Sequence, residues 1–395
     1  MRQGWRWFGP GAAVPLDAVR QSGATNIVSA LHEVPIGRAW TKEEVAERRN
    51  LIETTPPGRT PLTWSVVESI PIPDAVKRKG AAAKVEIEAW IASLEAAAAS
   101  GIRIICYNFM PVVDWTRTEL DFVTPTGATA MRFDQERFAA FDLFILEREG
   151  AQADYTPQER ERARAVRSAM SDEEVAEIVR IITSALPGST TEPMTLPGFR
   201  DRLAAYRDID AARFRRNLVE FLEAVMPAAE ARGVKLTLHP DDPPRPLFGL
   251  PRIASTEADY AALFDAVPSP ANGICLCTGS LGVRAGNDLP AMARRFASRI
   301  HFAHLRATKR EADPRTFHES DHLGGDVDMV AVLKELVAED RRRAPDETIV
   351  FRSDHGHRML DDLDKEVTPG YPAIGRLRGL AELRGILIAL GAPPD

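Results

Sequence analysis

The 395-residue chain predicts a (β/α)8 (TIM) barrel, and three observations carry that expectation. Short runs rich in β-branched and aromatic residues recur, amphipathic helical segments separate most of them, and glycines stand between a helix and the strand that follows. Strand, helix, glycine, strand is the order of a parallel sheet with helical crossovers. Eight such units close a barrel whose active site gathers at the C-terminal strand ends. A doubly wound open sheet is the competing arrangement.

Taken in order, the first runs are WRWFG (5–9), TNIVSALH (25–32), LTWSVVES (62–69) and IRIICYNFM (102–110). The first is short and starts at the terminus. Ile87, Trp90, Ile91 and Leu94 fall at i, i+3, i+4 and i+7 ahead of Gly101, one apolar helix face leading into the fourth run. From about Phe138 to Ile209 the rhythm breaks: the chain is polar and helical, then loop-like in PGSTTEPMTLPG. This predicts a helical insertion after the fourth strand of a single barrel domain spanning 1–395, serving as a lid, an oligomer contact or a solvated excursion. Leu218, Phe221, Leu222 and Val225 repeat the helical spacing before Gly233 and the fifth run, VKLTLHP (234–240). GICLCTG (273–279), IHFAHLR (300–306) and TIVFRSD (348–354) complete the eight, while GILIALG (385–391) reads as a strand or as the end of a last helix. No internal repeat is present.

Composition narrows the function classes. With 44% hydrophobic residues the chain can build a sizeable core, and a formal net charge of −7 argues against a nucleic-acid partner, which wants a basic face. No run of about 18 apolar residues is available for a membrane span, and MRQGWRWFGPG lacks a signal-peptide core. The expectation is a cytoplasmic protein with no membrane partner. The three cysteines, Cys106, Cys275 and Cys277, each sit in a strand-like run, which suits a reducing compartment better than a disulfide framework.

Candidate ligands stand at the ends of the last four runs: His239, Cys277, His304 and Asp354. A lone histidine in a strand is most often structural. Four donors on four successive strand ends are different, because a barrel brings those ends around one mouth, where two His, one Cys and one carboxylate make a divalent-metal shell. Strand alternation puts Cys275 and Cys277 on one face and turns His301 away from the face of His304, toward the helices. A rival cluster in FHESDHLGGD holds His318, Asp321, His322 and Asp326, but it reads as a loop among helix-starting residues, where capping is the expected role. Asp241 and Asp242 follow His239 in a proline-stiffened turn; turn chemistry explains them as well as metal ligation does, a substrate hydrogen bond is the third option, and they read as rim residues. His355, His357 and Tyr371 lie near the metal and suit proton transfer, with a histidine and a cation-polarised tyrosine as a base and acid pair. Asn108 and Arg306, also near strand ends, are candidates to hold hydroxyls and a carboxylate.

These residues lie in motifs that closely resemble the mannonate dehydratases of hexuronate (glucuronate) degradation: WRWFGP, WSVVES, CYNFMPVVDWTRT, HPDDPPRPLFGLPRI, CTGSLGVRAGND, HLRATKRE, FHESDHLGGDVDM and DHGHRMLDD. The resemblance is colinear to about Leu390. It implies a barrel like that of xylose isomerase, and Mn2+ or Fe2+ held by His239, Cys277, His304 and Asp354. Ligand softness alone would have suggested zinc. It further implies proton transfer by His355 and Tyr371, and a homo-oligomer. Phe8 departs from the family's RWYGP form, losing a hydroxyl, and the polar stretch 189–197 looks divergent. The implied reaction is the dehydration of D-mannonate to 2-keto-3-deoxy-D-gluconate. Loss of the C2 proton builds negative charge on the neighbouring carboxylate, which a divalent ion stabilises, and the C3 hydroxyl must be protonated as it leaves. A metal-dependent sugar isomerase or epimerase on the same barrel is the alternative. A non-catalytic sugar-acid sensor would bind without turnover, and a barrel endonuclease is disfavoured by the acidic balance.

Overall fold

The computed structural model describes residues 1–184 and 194–394; most of the loop-like stretch at 187–198 therefore lies outside the described residues. Twelve strands follow one another: β1 (Arg2–Arg6), β2 (Asn26–Ser29), β3 (Thr63–Glu68), β4 (Ile104–Tyr107), β5 (Glu119–Val123), β6 (Thr129–Phe133), β7 (Lys235–Leu238), β8 (Asn272–Cys277), β9 (Ile300–His304), β10 (Thr308–Arg310), β11 (Phe317–Glu319) and β12 (Val350–Arg352). Eight of them close a parallel barrel in the order β1-β12-β9-β8-β7-β4-β3-β2. Each comes from one of the eight runs expected, so the barrel stands and the open sheet does not. The first strand begins earlier than WRWFG, because Arg2 and Gln3 pair with Val350 and Phe351 of β12. GILIALG belongs to the last helix, Ala373–Ala389, and its exit.

The sequence pattern explains this directly. A parallel strand covered by helices is buried on both faces, and NGICLC of β8 is buried at every position. Val28, Val66, Ile104, Cys106, Cys275, Phe302 and Val350 form a separate buried cluster of barrel-strand residues. Phe302 belongs to it and His304 lies two residues on, so alternation keeps His301 on the helix side, where it packs against Gly273. Outside, the helix Ala211–Ala231 buries Phe214, Leu218, Phe221, Leu222 and Val225 along one stripe. Phe221 meets Trp90 edge-on at 5.2 Å between ring centres, which couples this helix to Ala83–Ala99.

The structure adds a second sheet that the sequence pattern does not predict. β5 and β6 form a hairpin after β4, and β11 and β10 add to β6, giving an antiparallel sheet in the order β10-β11-β6-β5. Helices Gln135–Ala140, Pro157–Ala169, Asp172–Thr183 and Leu196–Ala204 follow β6. The chain thus leaves the barrel at a hairpin before it turns helical.

Candidate metal centre and active site

The parallel barrel gathers the strand ends into a cleft whose wall includes Arg6, Glu68, Asn108, His239, Asp242, Arg306, Arg352, Asp354, His355 and Tyr371. His239 stands one residue past β7, Cys277 and His304 are the last residues of β8 and β9, and Asp354 lies two past β12. The ligand atoms of His239, Cys277 and His304 fall within 4.8 Å of one another. Asp354 Oδ2 lies 3.8 Å from Cys277 Sγ and 3.9 Å from His304 Nδ1. Atoms around one transition-metal ion are about 3–4 Å apart, so a small contraction makes this a shell. The two imidazoles are in the right state for it: burial lowers His304, and His239 to about 3, keeping both neutral, whereas burial pushes the Cys277 thiol up, so it would lose its proton only to a bound ion. His304 Nε2 lies 3.5 Å from Glu68 Oε1, while Nδ1 is the nitrogen that faces Asp354. The residues present fit a divalent ion. Asp354 has φ 58°, a left-handed backbone uncommon for a non-glycine residue.

Around these donors runs a chain of buried charges that the sequence did not disclose. Glu68, at the end of β3, binds Arg6 Nη1 at 2.6 Å and Arg352 Nη2 at 2.8 Å. Arg352 also grips Asp354, and Arg306 Nη1 reaches the same carboxylate at 3.0 Å. Arg306 continues through Nη2 to Asp242 at 2.8 Å and through Nε to Glu319 at 2.9 Å. Arg117 closes the chain with 2.7 Å to Asp242 and 2.8 Å to Glu319. Four carboxylates and four guanidiniums balance within one network. Asp242 is therefore no rim residue; two arginines hold it in the wall, well below the usual carboxylate range despite burial. Asp241 is buried as well, accepting from Ala254 N and Ser255 Oγ at 2.8 and 2.7 Å, which locks the turn. Arg306 does line the cleft, with its donors directed at carboxylates of the protein, and Asn108 lines it half-buried.

His355 and Tyr371 meet edge-on at 5.1 Å between ring centres. His355 Nδ1 lies 3.2 Å from Glu319 Oε1. Tyr371 packs on Phe8 at 4.9 Å, and burial raises its phenol, partly offset by Arg352. His357, expected among the proton-transfer groups, instead donates from Nε2 to the Glu319 carbonyl at 2.8 Å, fastening its segment to β11. The rival cluster does not converge. His318 lies on strand β11 and bonds Glu311, His322 bonds the Ser353 carbonyl at 2.6 Å, Asp321 pairs with Arg378, and Asp326 pairs with Lys309. Capping of the next helix falls to Asp328. The motif holds an antiparallel strand because Phe317 must pack on Phe133 of β6, their rings stacked at 5.7 Å.

A signal for the missed residues existed: Arg6, Glu68 and Arg352 are each the last residue of a barrel strand, where a charge points into the mouth. Arg117 and Glu319 carry no such signal, since the accessory sheet that delivers Glu319 was not legible.

A family model for D-mannonate dehydratase (UxuA) matches residues 1–393. The mannonate dehydratase of Brucella canis is 70% identical over 392 residues, covering 99% of this chain and 98% of that protein. The crystal structure of mannonate dehydratase from Streptococcus suis serotype 2 superposes with a TM-score of 0.76 at 30% identity, covering 100% of this chain and 96% of that one. A xylose isomerase-like TIM barrel protein from Mycobacterium smegmatis, in complex with magnesium, superposes with a TM-score of 0.50 at 14% identity, covering 98% of this chain and 97% of that one, a likeness of fold alone. A full-length family match, a relative at this identity and a barrel of this kind agree: the chain belongs to the D-mannonate dehydratase family.

Proposed function

We propose that the protein is a hydro-lyase that dehydrates D-mannonate to 2-keto-3-deoxy-D-gluconate in hexuronate catabolism, and that it does so with Mn2+ or Fe2+ held by His239, Cys277, His304 and Asp354. The observation that carries this reading is the convergence of those four side chains in a chain matched over residues 1–393 by the family model. The ion supplies Lewis-acid stabilisation for the negative charge that grows on the substrate carboxylate. The protein's own groups move the protons. His355 takes the C2 proton at Nε2. Tyr371, kept protonated near neutral pH because burial raises its phenol, gives its proton to the C3 hydroxyl as the C–O bond breaks. Its ring, 7% exposed, packs against Phe8 and His355, which fixes where the O–H points. Asn108 lines the same wall, which supports a role for it in binding substrate hydroxyls.

No helix among the described residues is long and apolar enough to cross a membrane. A cytoplasmic homo-oligomer is the setting we propose, checked by fractionation and light scattering. The function is tested by incubating the protein with D-mannonate, its epimeric hexonates and neutral mannose, before and after chelation and anaerobic add-back of Mn2+ or Fe2+. Release of a 2-keto-3-deoxy acid from mannonate, lost on chelation and restored by the ion, is expected. Undiminished turnover in metal-free protein sinks the reading, and recovery of an isomeric sugar in place of the keto acid would establish an isomerase.

A further inference from the structure

We propose that Glu319 is the positioning residue for His355: its carboxylate accepts a hydrogen bond from Nδ1–H of the imidazole and holds the ring with Nε2, 3.7 Å from Asp354 Oδ1, turned toward the cleft. The inference rests on the dehydratase reading above and names a residue outside the barrel strands. Glu319 ends β11 in the accessory antiparallel sheet, and its Oε1 lies 3.2 Å from His355 Nδ1, with both residues buried.

Three features make this more than a chance contact. Glu319 lies between Arg117 Nη2 at 2.8 Å and Arg306 Nε at 2.9 Å, so it stays ionised and can only accept. The histidine must then donate from Nδ1, which leaves the lone pair on Nε2. The His355 backbone cannot drift. A Cβ at Gly356 would stand 2.5 Å from Arg376 N, and one at Gly375 2.0 Å from the His357 carbonyl oxygen, so the segment lies directly on the final helix. The Glu319 carbonyl, taking the His357 proton at 2.8 Å, pins the other side. With the backbone fixed from both directions, ring rotation is the freedom left, and the Glu319 carboxylate is what sets it. The antiparallel sheet thus carries a carboxylate to the base from outside the barrel, much as a carboxylate orients the imidazole in a catalytic triad.

The test uses metal-loaded full-length protein and the variants Glu319→Gln, Glu319→Asp, His355→Asn and the double variant Glu319→Gln/His355→Asn. Glu319→Gln keeps the size and removes the charge; kcat for mannonate should fall about 10- to 100-fold, as for other carboxylates that orient a histidine, with metal content at the parent value. KM should change by less than about threefold, because the substrate contacts are untouched. C2-deuterated mannonate should show an enlarged isotope effect on kcat. In the His355→Asn background the same substitution should cost nothing further. Should Glu319→Gln fail to fold, Glu319→Asp keeps the charge for both arginines while withdrawing it from the ring, and the same loss of kcat is expected. Parent-like kcat in a folded Glu319 variant overturns the inference, as does an equal further fall in the His355→Asn background. If the parent itself releases no keto acid from mannonate, the dehydratase reading has failed and this inference falls with it.

Discussion

Arg117 offers the sharpest perturbation of the buried charge network. Its side chain has no exposed surface, it binds Asp242 and Glu319, and its guanidinium packs over Trp115 and Phe317 at 4.9 Å each. Arg117→Met fills similar volume without the charge. Asp242 and Glu319 then share Arg306 alone, and one buried negative charge is left uncompensated, which costs about 3–5 kcal/mol. Unfolding entropy of about 2.1 cal/mol/K per residue gives about 0.8 kcal/mol/K for 395 residues, so Tm should fall by about 4–6 °C. The pH dependence has a definite sign. Burial alone would raise both carboxyls, but Arg306 and His355 bring Glu319 down to about 2, and Arg117 and Arg306 hold Asp242 below its ordinary range. A depressed carboxyl stabilises the fold above its unfolded value of about 4, and that contribution is lost as pH falls through the folded value. The gap between parent and variant should therefore be widest at neutral pH, narrow as pH falls below about 4, and be gone only below about 2. Scanning calorimetry of metal-loaded protein at several pH values decides it. A gap under about 1 °C at neutral pH, or one unchanged in acid, would refute the account of the network as a balanced ionic chain.

Other substitutions follow from the same geometry. Gly375→Ala puts a methyl against the His357 backbone, which cannot yield, and should cost at least about 1–3 kcal/mol by thermal melting. Gly385→Ala, on the same helix with nothing within 4 Å of its added methyl, should stabilise by about 0.5–1 kcal/mol, so a loss there contradicts the packing described. Cys277→Ala should lower bound metal measured by elemental analysis while leaving the barrel folded, and full metal occupancy would remove Cys277 from the shell. Tyr371→Phe should lower kcat about 10²- to 10⁴-fold with little change in KM, and a parent-like rate would end its assignment as the acid.

The barrel was legible because burial on both faces writes a parallel strand as an apolar run with sharp glycine edges, and the convergence of His239, Cys277, His304 and Asp354 because each stands at or just past a barrel-strand end. The accessory sheet was illegible for the opposite reason. ELDFV of β5 is half-exposed throughout, and TKR and FHE of β10 and β11 are too short to show any period. FHESDHLGGD consequently reads as a capping loop whose histidines and aspartates draw the eye, while Glu319, the residue that enters the site, carries no mark of its role. Arg6, Glu68 and Arg352 lie inside the strand-like runs, at ends that face the mouth, which marks them as candidates for the site but says nothing of their partners. Only their mutual pairing, which is tertiary information, lets them be buried.

That pairing also bears on which ligand the cleft suits. The wall's four carboxylates and four guanidiniums cancel before anything binds. In the centre proposed above, a divalent ion would add two positive charges and a Cys277 thiolate would remove one, because cysteine binds metal deprotonated. One positive charge would then be left unbalanced inside a low-dielectric wall, where such an excess is costly. A sugar-acid monoanion cancels it and a neutral aldose does not. The same barrel and the same donors would serve an isomerase, so the ligands by themselves do not separate the two chemistries; the arginine count of the surrounding wall does, in favour of an acid.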